Sequence, residues 1–159
     1  MGRKSTRENK NIYQLSREAA GLSREAAAEA LVFISSDRIE KIEYEISAPH
    51  PEEVLAMAQC YKAPALCNYY CSHECPIGQE YVPEVKLGSL EKITLEMVVQ
   101  LNALTREKER LMEITVDGTI SPDEQEDFER IRASLDKMAL TIDAMRLWVD
   151  EQGADPAGT

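Results

Sequence analysis

The stretch GLSREAAAEALVFISSDRIEKIE, residues 21–43, decides the fold of the first half of this 159-residue chain. Ser23 stands where an N-cap residue precedes a helix, and the REAAAEAL that follows is rich in Ala, the strongest helix former. After a short apolar break, Ser35 or Ser36 can cap a further helix, whose Ile residues recur at a spacing of three. The stretch therefore predicts two short helices joined by a turn.

Three more short helices are predicted around this pair. The first spans residues 11–20, because Gly21 follows it as a typical C-terminal cap. Another spans residues 52–61 and follows Pro51, a residue pre-shaped for the first turn of a helix. The last begins after Pro64. Helical spacing places Ile12, Leu15, Ala19, Val54, Leu55 and Ala58 on the inner faces.

The second half of the chain predicts two long helices, at about residues 89–114 and 121–151. In the second of them, apolar residues recur at alternating three- and four-residue spacing, as in a helix packed lengthwise on another. A tight turn at residues 116–119 joins the two, so we expect an antiparallel hairpin. The expected contact residues are Leu90, Met97, Leu101, Leu104 and Leu111, facing Phe128, Ile131, Leu135, Met138, Ile142, Met145 and Val149.

Other apolar residues of the hairpin lie off this expected contact. They are Leu95, Val98 and Val99 on the first long helix and Leu147 and Trp148 on the second. Two helices cannot bury two apolar stripes by themselves, so a partner is required. We expect this partner to be a second copy of the chain, which makes the protein a homodimer through its hairpin.

The first half of the chain resembles the phage-repressor class of helix-turn-helix proteins, the Xre/Cro-like family, over about residues 11–66. GLSREAAAEAL at 21–31 matches the second helix of that family, and ISSDRIEKIE at 34–43 matches its recognition helix. Pro49 and Ala58 follow at the distances usual in the family. The resemblance implies a helix-turn-helix lobe.

The sequence departs from the family pattern around the recognition helix. Val32 and Phe33 stand where the family often has a single Gly, so the turn is one residue longer and we expect it to be distorted. Tyr44 and Glu45 replace the common Asn-Gly after the helix, and Arg24 replaces a frequent Gln. These departures bear on function more than on fold.

The resemblance implies that the lobe binds double-stranded DNA. A recognition helix fits the major groove and reaches base edges with its first turn, while the preceding helix contacts phosphates. At the base-facing positions of the family, Lys41 suits guanine and Asp37 suits the cytosine amino group. The expected DNA-binding residues are Arg24, Ser35, Ser36, Asp37, Arg38 and Lys41, together with Arg3, Lys4 and Arg7 of a basic N-terminal arm.

The distribution of charge is compatible with DNA binding by the first half alone. The net charge of the chain is −11, but residues 1–66 hold nine Lys and Arg against ten Asp and Glu. Residues 67–159 hold nine against nineteen. Within the first half, residues 1–24 carry six basic and two acidic side chains. We therefore expect the acidic hairpin to point away from DNA.

Acidic residues near the recognition helix support a different function. Asp37, Glu40, Glu43 and Glu45 crowd this region, and carboxylates that face phosphates repel them. An alternative therefore stays open: a protein-interaction adaptor of phage or mobile-element type, with a helix-turn-helix fold that no longer reads DNA.

Four cysteines raise a further alternative, a thiol- or metal-responsive regulator. Cys67, Cys71 and Cys75 recur every four residues, and Cys60 precedes them by seven. Four thiolates can hold zinc or an iron–sulfur cluster. This spacing matches no common site, because zinc ligands usually come as two separate close pairs. We therefore expect reduced thiols and no cofactor.

The expected architecture is all-α: a five-helix helix-turn-helix lobe followed by a long antiparallel helical hairpin. The predicted boundaries are a basic flexible arm at 1–9, the helix-turn-helix domain at 10–75, a connector at 76–88, the oligomerisation hairpin at 89–151 and a disordered tail at 152–159.

The sequence thus predicts a sequence-specific, repressor-like transcriptional regulator that acts as a dimer. We expect no enzyme, because the chain has no phosphate loop, nucleophile elbow or His/carboxylate cluster at helical spacing. No apolar run approaches the roughly 18 residues of a membrane-spanning helix, and no signal core follows the N-terminus. A cytoplasmic protein without a membrane partner is expected.

Overall fold

The structure, a computed structural model, describes residues 9–154. In this part of the chain there are eight α-helices and no strand, which confirms the prediction of an all-α protein with a C-terminal helical hairpin. Two compact units are present: the first combines the described residues up to Glu84 with those from Asp150 to Ala154, and the second comprises Val85–Val149. The helices are α1 (Ile12–Ala19), α2 (Arg24–Leu31), α3 (Ser36–Glu43), α4 (Pro51–Cys60), α5 (Ala65–His73), α6 (Pro76–Tyr81), α7 (Leu90–Ile114) and α8 (Gln125–Ala154).

The predicted helix ends around α2 and α3 are confirmed. Ser23 caps α2, its side chain accepting a hydrogen bond from the backbone N–H of Ala26. Ser35 caps α3 in the same way through the N–H of Arg38. Gly21 follows α1 with φ +72°, a left-handed conformation that glycine adopts without steric cost. These local signals position α2 and α3 independently of tertiary packing.

The core of the first unit is formed by the apolar faces of α1–α5. Leu15, Ala19 and Leu55 were expected on those faces, and these three expectations are wrong, because the side chains are exposed. In α4 the inward position next to Val54 is taken by Met57, three residues further along the same face. The buried cluster consists of Tyr13, Ala27, Leu31, Ile34, Ile39, Ile42, Val54, Met57, Ala58, Tyr61 and Leu66.

The turn between α2 and α3 is distorted, as its extra residue predicts. Val32 has φ 64° and ψ −47°, and the N–H of Phe33 donates to the carbonyl of Leu31 at 2.7 Å. This is a γ-turn with a β-branched residue at its centre, in a backbone region that such residues rarely enter. Ile34 then returns to the core, which sets the start of α3.

Helix α6 lies inside the region expected to be an irregular connector, so the boundary at residues 75 and 76 is wrong. Pro76 occupies the first position of α6, and the Cys75 thiol accepts from the N–H of Gly78. Gly78 packs so closely on α5 that a Cβ there would collide with the backbone carbonyl of Cys71. The first unit therefore extends to Glu84.

Helices α7 and α8 form the antiparallel hairpin of the second unit. Two ion pairs between the helices fix their register, Arg110 with Asp127 at 2.7 Å and Glu107 with Arg130 at 3.6 Å. Helix α8 begins four residues after the predicted start at 121.

The C-terminal end of α8 changes one predicted boundary. The helix continues to Ala154, so the prediction of a disordered tail is wrong for residues 152–154. Residues 155–159 lie outside the described part of the chain. Helix α8 is therefore three residues longer at its C-terminal end than predicted.

The inward stripe of α8 differs from the predicted one. Leu135, Ile142 and Val149 were expected at the helix contact but are exposed. Thr141, one residue before Ile142, is buried instead, and its hydroxyl donates to the carbonyl of Lys137 at 2.9 Å. Adjacent residues on a helix point about 100° apart, so this shift turns the apolar stripe out of the contact.

Of the remaining predictions about which hairpin side chains are inward or exposed, some are confirmed and others are wrong. In α7, Leu90 and Leu101 are exposed rather than inward, and Ile93 and Ile114 are the buried residues. In α8, Leu147 is buried and does not belong to the free surface. The exposed state of Leu95, Val98 and Val99 is confirmed.

Candidate nucleic-acid interface

The outward face of α3 carries the short polar side chains expected to meet bases. Ser35 and Asp37 are exposed, and Ser36 is half-buried. Lys41 and Asp37 lie one helical turn apart, and the ammonium Nζ is 2.8 Å from the carboxylate Oδ2. Both side chains are largely open to water, where an ion pair of this kind contributes little and separates readily. The face can therefore offer a donor and an acceptor side by side.

Arg24 does not extend toward solvent as a phosphate ligand would. Its Nε donates to Glu43 Oε2 at 2.7 Å, and Nη1 lies 3.5 Å from Glu40. The guanidinium also covers the ring of Tyr44, 4.8 Å from the centroid. Burial opposes the charge of Arg24, but hydrogen bonds with Tyr44 and Glu43 raise its pKa above the ordinary value. The structure thus gives Arg24 an internal partner in place of the expected phosphate.

Behind α3 lies a buried ionic cluster that sequence analysis did not identify, formed by Arg17, Arg24 and Glu43. Glu43 is 1 % exposed, and its two carboxylate oxygens accept from Arg17 Nε at 2.6 Å and Arg17 Nη2 at 3.0 Å. Arg17 Nη1 also donates to the carbonyl of Leu22 at 2.7 Å. The cluster ties α1, α2 and α3 together. An acid in register with the inward Ile39 of the same helix was the sequence signal for it.

Arg38 is likewise directed into the protein, toward α4. Its Nε and Nη2 donate to the two oxygens of Glu53 at 2.7 and 2.6 Å. Further hydrogen bonds reach the hydroxyl of Ser47 and, at 2.9 Å, the carbonyl of Ala48. The hydrogen bond from Arg38 lowers the pKa of Glu53. Arg38 therefore holds α3 against α4, and its expected DNA contact has no geometric support.

The surroundings of α3 remain acidic. Asp37 and Glu40 project from the helix, and Glu45 is exposed just after it. Lys41 is the basic side chain that lies on the outward face among the described residues of α3. The predicted arm residues Arg3, Lys4 and Arg7 lie outside the described residues. An acidic surface of this kind does not favour general attraction to phosphates.

The four cysteines do not converge on a metal site. Cys60, Cys67, Cys71 and Cys75 are free and half-buried. Among residues 9–154, no three His, Cys, Asp or Glu side chains are grouped so that they can hold a metal ion. Burial raises the pKa of the Cys60 and Cys67 thiols, which keeps them protonated at neutral pH.

The hairpin presents a second candidate surface, an exposed apolar stripe on each helix. On α7 the stripe includes Val98 and Leu101, and on α8 it consists of Leu135, Ile142 and Val149, spaced seven residues apart. Seven residues are two helical turns, so the three α8 side chains lie in one row. We call these five residues the hairpin stripe. A row of this kind is typical of a helix that packs on another helix.

Comparison of the chain with family models, curated proteins and solved structures found no match. Within residues 9–154, none of the helices has the length and apolar character needed to cross a membrane. The resemblance to helix-turn-helix proteins therefore rests on the sequence of residues 21–43 with Pro49 and Ala58.

Proposed function

We propose that this protein is a sequence-specific, repressor-like DNA-binding regulator of the Xre/Cro type, with α3 as the recognition helix, acting in the cytoplasm as a dimer. The observation that supports it best is the two-sided construction of α3. Arg38 and Glu43 fix its inner side to the neighbouring helices, while Asp37 and Lys41 stand outward without a contact to the core. A helix that reads a groove requires such rigid support behind an exposed polar face.

The outward side chains have chemistry that suits base edges. Lys41 can donate to O6 and N7 of guanine, and Asp37 can accept from N4 of cytosine. Their mutual ion pair is exposed, so its loss on binding costs little. Ser36 adds a hydroxyl that donates or accepts. The three residues together suit a short site that contains a G·C pair.

The hairpin stripe supplies the dimerisation surface of the proposed regulator. Val98, Leu101, Leu135, Ile142 and Val149 are apolar and exposed, which favours burial against the same stripe of a second copy. Antiparallel helix pairs commonly assemble into four-helix bundles in this way. A dimer would place two recognition helices on half-sites about one turn apart, roughly 34 Å.

Selection of bound sequences from random DNA, followed by fluorescence anisotropy, tests the proposal. Lys41→Ala is expected to weaken binding to the selected duplex by about 1–3 kcal/mol and to relax preference at one position. Lys108→Ala, which removes the same charge from an exposed position of α7, is the matched control and should bind as wild type. A scrambled duplex over a salt series separates base readout from phosphate attraction.

Two outcomes would reject the regulator. One is equal and weak binding of selected and scrambled duplexes. The other is a Lys41→Ala variant that behaves like wild type on every duplex. Either result would favour the adaptor, in which the acidic surroundings of α3 exclude nucleic acid and face a protein instead.

A further inference from the structure

The turn between α2 and α3 exposes two large apolar side chains. Val32 is 87 % exposed and Phe33 is 65 % exposed, whereas the next residue, Ile34, is 2 % exposed and belongs to the core. Phe33 lies two residues before Ser35, the N-cap of α3. The two side chains therefore form an apolar tip at the end of the helix that is proposed to enter the groove.

The backbone at this tip is strained in a way that glycine would avoid. Val32 is at the centre of the γ-turn with φ 64° and ψ −47°, a sparsely populated backbone region that costs on the order of 1–3 kcal/mol. Neither Val32 nor Phe33 contributes to the buried cluster of the first unit. Strained residues that add nothing to the core are characteristic of functional positions.

We propose that Phe33, supported by Val32, contacts the C5-methyl group of thymine at the edge of each half-site. This inference rests on the proposed DNA-binding function. The first turn of a recognition helix reaches base edges, and Phe33 lies three residues before Ser36, where that turn begins. The major groove offers one apolar feature, the thymine methyl, and Phe is among the side chains that contact it.

The outward polar side chains of α3 and the apolar tip differ in the base features that they can contact. Ser36, Asp37 and Lys41 can address only hydrogen-bonding edges, so they cannot recognise the thymine methyl. The apolar tip supplies side chains that can contact this methyl group. Two side chains are also too few for a protein interface, since a stable one buries at least about 1,000 Å². Thymine methyl groups fit the size of the tip better than a protein partner does.

The test replaces each thymine of the selected duplex, one at a time, by uracil, which lacks only the methyl group. Wild-type protein should lose about fourfold in affinity at one or two positions, since a buried methyl group contributes about 0.8 kcal/mol. Phe33→Ala should bind the thymine and uracil duplexes equally. Phe33→Leu keeps an apolar side chain and should retain part of the preference. Tyr81→Ala, which removes an exposed aromatic ring from α6, is the matched control and should keep the wild-type preference.

The outcomes separate this inference from the function on which it rests. If wild type selects DNA but is indifferent to every uracil replacement, the methyl contact is refuted and the regulator stands. If Phe33→Ala keeps the full thymine preference, another residue makes the contact and the assignment fails. If wild type shows no selective binding, both fail together. The uracil series on wild-type protein decides whether a thymine methyl group is contacted even where a variant is unstable, and Phe33→Leu supports the assignment to Phe33 if Phe33→Ala fails to fold.

Discussion

Glu43→Gln is the sharpest test of the ionic cluster behind α3. The change keeps the shape of the side chain but removes the charge that balances Arg17 and Arg24. Glu43 is buried and accepts three hydrogen bonds from the two guanidinium groups, at 2.6, 3.0 and 2.7 Å. Loss of one partner from a buried ion pair costs about 3–5 kcal/mol, because the remaining charge stays out of water. A domain has only about 5–15 kcal/mol of stability, so the first unit should become marginal.

Hydrogen exchange of the backbone amides in α1–α3 measures this loss directly. Amides of the core helices open with a free energy close to that of global unfolding, so their protection should fall by the full amount. Trp148 lies in α8 of the second unit, and its fluorescence follows that unit as an internal reference. Glu40→Gln is the matched control, because Glu40 is half-exposed and makes only the 3.5 Å contact with Arg24. It should cost less than about 1 kcal/mol.

Equal loss of protection in Glu43→Gln and Glu40→Gln would contradict a stabilising role of the buried cluster. Unchanged exchange of α1–α3 in Glu43→Gln would contradict it too, since the cluster would then contribute nothing to the fold. Loss of protection confined to α3 would show that the cluster holds that helix alone.

Three further changes address the rest of the chain. Val98→Glu places a charge in the hairpin stripe and should convert the dimer to a monomer, as measured by light scattering. Ala133→Glu, a change at another exposed position, should leave the dimer intact. A wild-type monomer at micromolar concentration would contradict the proposed dimer. Gly78→Ala forces a Cβ into the Cys71 carbonyl and should lower the free energy of unfolding of the first unit, measured by urea denaturation, by about 1–3 kcal/mol or more. Gly153→Ala, with open space around it, should be neutral or stabilising, and equal effects of the two would refute the close approach. The lowered pKa of Glu53 contributes stability that is present above the ordinary Glu pKa of about 4.3 and is lost as pH falls through the lower folded value. Urea midpoints of wild type and Glu53→Gln should therefore converge below that pH, and a constant gap down to pH 3 would be inconsistent with the Arg38 ion pair.

The short helices were predictable because their ends are set locally. Ser23 and Ser35 cap their helices through their own side chains, and Gly21 ends α1, so these boundaries need no tertiary information. The hairpin contact was harder to predict. Apolar Ile142 and the neighbouring Thr141 lie about 100° apart on α8, and only packing against α7 decides which one turns inward. The prediction placed Ile142 at the helix contact because it is apolar, whereas Thr141 is the buried residue.

In the candidate site, too, some residue positions were predictable from the sequence and others depend on tertiary contacts. The outward positions of Asp37 and Lys41 are implied by the family resemblance, and the structure bears out their exposure. The roles of Arg24 and Arg38 depend on partners 19 and 15 residues away in the chain, which spacing within one helix does not reveal. An Arg near a recognition helix resembles a phosphate ligand until its carboxylate partner is known.

The residues that anchor α3 differ from those on its outward face, and this affects how the sequence of such a protein can evolve. Arg38, Glu43 and the buried Ile39 and Ile42 attach the helix to its neighbours, whereas Asp37 and Lys41 are exposed and Ser36 is half-buried. In the proposed regulator, substitutions at the outer positions would alter specificity with little penalty to folding, because surface replacements away from packing usually change stability by less than about 0.5 kcal/mol. The same frame would then be retargeted to a new sequence by a few exchanges. A laboratory library restricted to those three positions would sample altered specificities while nearly every member remained folded.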